Sequence, residues 1–373
     1  MKNRILLFTF YFLPVFFSGC MKEDHNVIKI ALVSPFTGDL AVLGQGMKKA
    51  VEMAVEDANA SGKFKGITLK LVTFDDRADP KEAVNVANRI ISDKKIFGVV
   101  GHLNSGCSIP ASQVYAKENL VMISPGSTNP KLTLQGLKNI FRVCTTDDIQ
   151  GNFAANYVIN NLKIKRVAVI HDKTAYGQGV AESFKNNFEE KGGKAVSFDG
   201  IDSGDKDFKA LLTSIKTKKP SLIYFGGPYP ECGLITKQAK ELGLNIPIFS
   251  DDAINSPEYV KIGGKATEGD YATMIGIPAE KLPKAKKFVD KFKNTYPDTD
   301  MQPYDTNAYE AASIIINAIE NTNIDKLKIV DYISKIKFNG ILGKTSFDKN
   351  GDTLNKNISI YKIINGKFVY VGK

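Results

Sequence analysis

Stretches of period two and stretches of period 3.6 alternate along this chain. Val27–Ser34 reads VIKIALVS: apolar and polar positions alternate, then the run turns wholly apolar, as a buried strand does. Residues 44–59 place Met47, Ala50, Val51, Ala54, Val55 and Ala58 three or four apart, the stripe of an amphipathic helix, and Ser61-Gly62 ends it. A second strand is expected over 67–74, closed by Asp75-Asp76. Next comes a helix over 80–93 with Ala83, Val84, Ala87, Ile90 and Ile91 on one face. A third strand over 96–101 runs into a helix after Ser105, with Pro110 suited to its first turn, and a fourth strand covers 121–124. The rhythm restarts after Thr145-Thr146-Asp147-Asp148. Helices are expected over 149–162, 178–191, 208–217 and 231–242, and strands over 166–171, 195–198, 222–226 and 247–250. Strand–helix–strand order argues parallel βαβ units, so the pattern gives two α/β halves of similar plan, without a visible sequence repeat. Amphipathic helices over 284–294 and 307–320 follow. Short strands over 344–347, 358–363 and 368–371 end the chain, with Asp348–Asp352 read as a hairpin turn.

A chain of 373 residues is too long for one ordinary domain and carries apolar content enough for a sizeable core. Its formal net charge is +10. The lysines are spread over helix faces, arginine is scarce, and aromatics are not interleaved with basic residues; a solvated surface, not nucleic-acid binding, is the expectation. Residues 1–19 are read as a signal peptide: Lys2 and Arg4 precede a nearly unbroken apolar run, too short to span a bilayer as a mature helix. Phe17-Ser18-Gly19-Cys20 resembles the bacterial lipobox, which implies cleavage before Cys20, lipidation of that residue, and a tether over 20–26. Cys107, Cys144 and Cys232 remain, an odd number without a C-x-x-C pair. They are read as small buried residues, not as a zinc site.

In open α/β sheets ligands lie beyond the carboxyl ends of the strands, so those ends are the functional question. In the first half they are Asp75-Asp76, His102 to Ser105, and Ser124 to Thr128. In the second they are His171-Asp172 with Tyr176, Gly226-Gly227-Pro228-Tyr229, and Asp251-Asp252. The first half offers hydroxyls and the free N–H groups of a helix start, which suit an anion. The second offers tyrosines and carboxylates, which suit a cation. An anion and a cation on one small molecule describe an α-amino acid, and neither charge could be buried unpaired.

The ordered set Asp75-Asp76, Asp79-Pro80, Gly101-His102-Leu103, Ser124-Pro125, Thr128-Asn129-Pro130, Ile170-His171-Asp172-Lys173, Tyr176-Gly177-Gln178-Gly179, Tyr224-Phe225-Gly226-Gly227 and Pro230-Glu231 resembles the leucine/isoleucine/valine-binding proteins of ABC importers. These are type I periplasmic binding proteins. The likeness runs from Val27 to Lys373. It implies an α/β fold of two Rossmann-like lobes with central parallel sheets: lobe one from 27–146 and 277–347, lobe two from 147–276 and 348–373, joined by a three-segment hinge. The crossings would fall near Cys144–Asp147, Met274–Pro278 and Lys344–Gly351. By the same resemblance, Ser105 and Thr128 would hold a ligand carboxylate, and the backbone around Gly126 would accept its ammonium. Tyr176 would close over from lobe two, Asp252 would face the ammonium, and Tyr304 would wall the side-chain pocket. Leu103, Asn104, Ser127 and Tyr229 complete the expected ligand site. Four departures stand out. Asp252 stands where the family has Glu, Leu43 and Pro228 where it often has Tyr, and Ala78 and Asn104 where its lobe-one disulfide would lie.

An enzyme is the rival reading, since His102, Ser105 and Asp76 are the residue types of a hydrolase triad. Gly-x-Ser-x-Gly is absent, however, and a histidine one residue past a buried strand is ordinarily structural. A metal binder built from Asp75, Asp76, Asp251, Asp252 and His171 would need residues from both halves. No nucleotide-binding run occurs and no cofactor is implied. The expectation is a monomeric, extracytoplasmic, lipid-anchored binding protein with no catalytic residues. It would capture a branched-chain or similar hydrophobic amino acid and hand it to an ABC permease. A sensor of another small carboxylate or amide metabolite is the alternative.

Overall fold

A computed structural model describes residues 26–372; the expected signal peptide, Cys20 and all but the last residue of the expected tether lie outside the described residues. The first sheet takes β1 (Val27–Ser34), β2 (Thr68–Asp75), β3 (Ile96–Val100), β4 (Met122–Ser124) and β5 (Ile140–Arg142) in the order β2-β1-β3-β4-β5, all parallel. Between the strands run α1 (Ala41–Ala60), α2 (Pro80–Ser92), α3 (Ser105–Ala116) and the short α4 (Lys131–Leu134). The strand β1 shows why its sequence reads as a nearly continuous apolar run. Ile30 and Leu32 pack into one face, Ala31 and Val33 into the other, and helices cover both. Chain entry into α2 is set locally: Asp79 accepts from the backbone N–H groups of Lys81 and Glu82, and Pro80 occupies the first turn.

The second sheet repeats this plan. Helices α5 (Asp147–Asn160), α6 (Ala175–Glu190), α7 (Lys209–Thr217) and α8 (Tyr229–Glu241) join β6 (Arg166–His171), β7 (Lys194–Gly200), β8 (Leu222–Gly226) and β9 (Ile248–Ser250). After α9 (Pro257–Gly263) comes β10 (Tyr271–Ile275), and the order β7-β6-β8-β9-β10 mirrors the first sheet strand for strand. In both sheets the order reverses beside the first strand, which places a crevice at its carboxyl end. The chain then returns to the first sheet. After α10 (Lys286–Thr295), α11 (Asp305–Asn321) packs against α1 and β3. Then α12 (Ile329–Ser334) and the hairpin β11 (Phe338–Gly340) and β12 (Gly343–Thr345) lead back to the second sheet. There β13 (Ile358–Ile364) and β14 (Lys367–Gly372) add an antiparallel edge.

Several expectations shift. Pro110 is inside α3, past its first turn. The turn at 348–352 is closed by an antiparallel bridge between Phe347 and Thr353, not by two full strands. Strands β5 and β10 and helices α4, α9 and α12 were not expected; each is short and lacks a clear period. The cysteines Cys107, Cys144 and Cys232 are buried and free. Among the described residues no helix is long and apolar enough to cross a membrane, and no group of three metal-ligating side chains forms.

Buried carboxyls set the acid–base behaviour of this fold. Desolvation pushes Asp172 up to about 6, Asp270 to about 7 and Asp305 to about 8, against the partial relief of their hydrogen bonds. A folded pKa above the unfolded value means that the native state holds the extra protons. That stability is complete near pH 4 and is lost as pH rises through 6 to 8, at about 1.4 kcal/mol per pH unit for each fully differing proton. The urea midpoint should therefore fall between pH 5 and 8, and Asp305→Asn should flatten the slope. A wild-type midpoint that rises over this range would refute the assignment.

Candidate functional site

The carboxyl ends of β1, β3 and β4 face those of β6, β8 and β9 across a closed crevice. On the first side, His102 is fixed by its neighbours. Its Nδ1 lies 2.6 Å from Asp76 and its Nε2 3.0 Å from the Tyr115 hydroxyl, all three buried. The His102 carbonyl accepts from the hydroxyls of Ser108, Ser124 and Ser127. Ser127 also donates to the Leu103 carbonyl at 3.0 Å, so this side chain braces the two turns against each other. Ser105 opens α3, and its hydroxyl accepts from the Asn129 N–H at 3.2 Å. Thr128 is 0 % exposed and its hydroxyl has no hydrogen-bond partner; the Asn104 side-chain oxygen is likewise buried and unpartnered. Gly126 allows a close approach here: a Cβ would lie 2.7 Å from Leu103 Cδ1 and 3.0 Å from Tyr304 Cδ1.

Asp252 is the centre of the second side. It is 0 % exposed, and its Oδ1 accepts from the Gln150 amide at 2.7 Å and the Tyr176 hydroxyl at 3.0 Å. Its Oδ2 accepts from the Tyr304 hydroxyl at 2.6 Å. Burial raises its pKa, and the hydrogen bonds from Tyr304, Gln150 and Tyr176 oppose the rise. Tyr304 stands at the start of α11, which packs on the first sheet, so its bond to Asp252 spans the crevice. The structure thus brings Leu103, Gly126 and Tyr304 together on one side and Tyr176, Asp252 and Tyr304 on the other. Tyr229 points elsewhere: its hydroxyl donates across the crevice to the Asp39 carbonyl. Asn129 reaches over to the Ala175 carbonyl, and the Asp147 N–H donates to the Thr128 carbonyl at 3.0 Å.

Other acids at the strand ends hold the backbone. Asp75 accepts from Phe36, Thr37 and Arg77, Asp172 from Thr174, and Asp251 from the N–H groups of Gly227 and Ala253. A cavity of about 1110 Å³ opens nearby, lined by residues such as Cys144, Met274, Tyr296, Tyr361 and Tyr370. None of the expected site residues lines it, so position and chemistry favour the crevice over this space.

Sequence reasoning missed three contributors. Gln150 donates to both Asp252 and Thr273. Asp147, the first residue of α5, is 1 % exposed beside Thr128. Arg142, at the end of β5, is fully buried. Its Nε lies 2.5 Å from Asp352, its Nη1 donates to the Ser127 and Asn129 carbonyls at 2.9 Å, and its Nη2 reaches Thr133. The Thr145-Thr146-Asp147-Asp148 run was visible as the place where the rhythm restarts, but nothing in it marked a site.

Residues 27–367 match the family model described as periplasmic binding protein. The chain is 39 % identical to a Leu/Ile/Val-binding protein homolog 2 of Brucella abortus, over 87 % of each chain. It is 37 % identical to the leucine-, isoleucine-, valine-, threonine-, and alanine-binding protein of Pseudomonas aeruginosa, over 90 % of each. It superposes with TM-score 0.85 and 29 % identity on the branched-chain amino acid transporter substrate binding protein LivJ of Streptococcus pneumoniae in complex with isoleucine. That match covers 93 % of this chain and 100 % of that one.

The Arg142–Asp352 pair gives a direct test of how the crevice is held. Arg142→Met should destabilise the protein by about 3–5 kcal/mol, because it strands a buried carboxylate. Adding Asp352→Leu should recover part of that loss. Urea unfolding of the two variants checks both statements, and a single-variant cost under about 1 kcal/mol would contradict them.

Proposed function

The chain belongs to the periplasmic binding protein family, and we propose that it captures a branched-chain or similar hydrophobic amino acid in this crevice and delivers it to an ABC permease. The observation that carries the reading is the facing of two half-sites. Hydroxyls and a helix start on one sheet meet a buried acid on the other, and closure covers both. Ser105 and Thr128, with the N–H groups at the start of α3, would take the ligand carboxylate. The Gly126 carbonyl and Asp252 would take the ammonium, and Tyr176 would cover it. Leu103 and the Tyr304 ring would bound an apolar pocket suited to an aliphatic side chain. Asp252 is one methylene shorter than the glutamate of the resembled family, so its reach to the ligand would need help from a neighbour or a water.

Family membership places the protein outside the cytoplasm; lipid anchoring through Cys20 and a monomeric state are further parts of the proposal. Lobe one would comprise 27–146 and 277–347, and lobe two 147–276 and 348–373. The lobes would hinge at the segments between β5 and α5, after β10, and after β12. The relatives named above are binding proteins. The buried His102–Asp76 pair has its ring nitrogens engaged within the core and faces no cleft, so it supports scaffolding over catalysis.

Isothermal titration of purified protein with the common amino acids tests the reading. Leucine, isoleucine or valine should bind, and Thr128→Ala should weaken that binding by about 1–3 kcal/mol, roughly 5- to 150-fold. Failure of every amino acid to bind, with an unrelated metabolite binding instead, would replace this reading with the sensor alternative.

A further inference from the structure

We infer that the open cavity of about 1110 Å³ beside the crevice is a second ligand site, which takes a small aromatic carboxylate and is linked to the crevice through the walls they share. The site itself goes beyond the proposed capture of an amino acid and uses none of the residues expected to hold one. Only its linkage to the crevice rests on that reading.

All three connections between the two sheets contribute to the cavity. Cys144 and Thr145 come from the first, the stretch from Met274 to Leu282 ends β10 and begins the second, and Asn355 and Asn357 lie on the third. The rest of the wall is divided between the two bodies. Tyr296 belongs with the first sheet, since Lys49 of α1 lies 5.0 Å from its ring centre. Tyr361, Phe368 and Tyr370, on β13 and β14, belong with the second. An occupant therefore touches both bodies and every segment that joins them.

The lining states the chemistry. Tyr296, Met301, Tyr361, Phe368 and Tyr370 are each half-buried, so ring faces and a thioether stay uncovered in one concave space. A flat aromatic body gains both burial and stacking against such a wall. Lys281 Nζ lies 3.5 Å from the centre of the Tyr370 ring, so one cation is already held over the aromatic surface. Lys293 and Lys367 also line the cavity, and among the described residues no carboxylate pairs with any of these three lysines. Lys261 lines it too, shared with Glu258, while the acids of the lining are Glu280 and Asp300. Cations thus outnumber acids, and a carboxylate on the aromatic body supplies the missing counter-charge.

On the proposed hinging, rotation of one body against the other moves Tyr361 and Tyr370 relative to Tyr296. A ligand that fits the cavity of the shut molecule favours that form over the open one. Linkage then requires this ligand and leucine to raise each other's affinity by the same factor.

Indole-3-acetate is the probe, and tryptamine, of similar shape and opposite charge, is its control. In isothermal titration of leucine-saturated protein, indole-3-acetate should bind with a Kd under about 1 mM and tryptamine at least tenfold more weakly. Tyr370→Ala and Lys281→Glu should each weaken indole-3-acetate at least fivefold and leave leucine, titrated alone, within twofold of wild type, which also reports that both variants fold. Saturating indole-3-acetate should tighten leucine binding at least twofold. The site is overturned by no binding of indole-3-acetate, by equal binding of tryptamine, by displacement of the probe by leucine, or by unaltered probe binding in both variants. An unchanged leucine affinity overturns the linkage. If wild type binds no amino acid, the linkage falls with the capture reading, while the probe and its variants still decide the site.

Discussion

The crevice depends on one buried cation, the guanidinium of Arg142. It ends β5 where the core would otherwise continue, and it binds groups from three parts of the chain: Asp352 after the hairpin, the Ser127 and Asn129 carbonyls, and Thr133 at α4. The two carbonyls flank Thr128, so the guanidinium fixes the turn that carries the buried Thr128 hydroxyl. Asp352 lies on the segment that returns the chain to the second sheet. A planar fork with rigidly placed donors can tie this turn to the segment returning to the second sheet; a lysine could not span the same acceptors at once. The local order of the crevice and the path of the returning segment therefore share one anchor.

Closure itself rests on weak contacts at the rim and strong ones at the centre. The Lys206–Asp39 pair across the rim is well exposed on both sides and adds little beyond orientation. The central bonds, from Tyr304 to Asp252 and from the Asp147 N–H to the Thr128 carbonyl, are buried and worth more. Both join the two bodies and both lie beside the expected position of the ligand cation. A ligand shifts an equilibrium between open and shut forms only through contacts that differ between them. The buried contacts between the two sides converge on Thr128, Asp147, Tyr304 and Asp252.

The fold was legible wherever burial is two-sided. Strands β1, β6 and β8 match their sequence-based limits to the residue, because a strand covered on both faces must be apolar throughout and stop abruptly at a polar cap. Strand β5 was not legible because it is three residues long and ends in an arginine, whose burial is explained only by partners far away in sequence. Much of the site was legible as polar strand ends and as a family resemblance. What the residues alone could not give is how each polar group is used. Ser127 reads as a site residue while its hydroxyl braces two loops, and Tyr229 reaches the Asp39 carbonyl. Asp147 was hidden because an acid in the first turn of a helix has an ordinary local explanation in the helix dipole. Its significance appears only when segments on either side of the crossing shut against it.

Three buried acids at this edge of the second sheet show how the molecule divides labour. Asp251 is satisfied by backbone N–H groups and so shapes the loop after β9. Asp252 is satisfied by side chains from α5, α6 and α11, and so records whether those elements have come together. Neither carboxyl oxygen of Asp147 meets hydrogen-bond geometry with another group, although the Thr128 hydroxyl and the Arg142 guanidinium lie close enough to lower its pKa. A buried carboxylate without partners opposes closure of an empty site, either through its charge or through the proton it must take up.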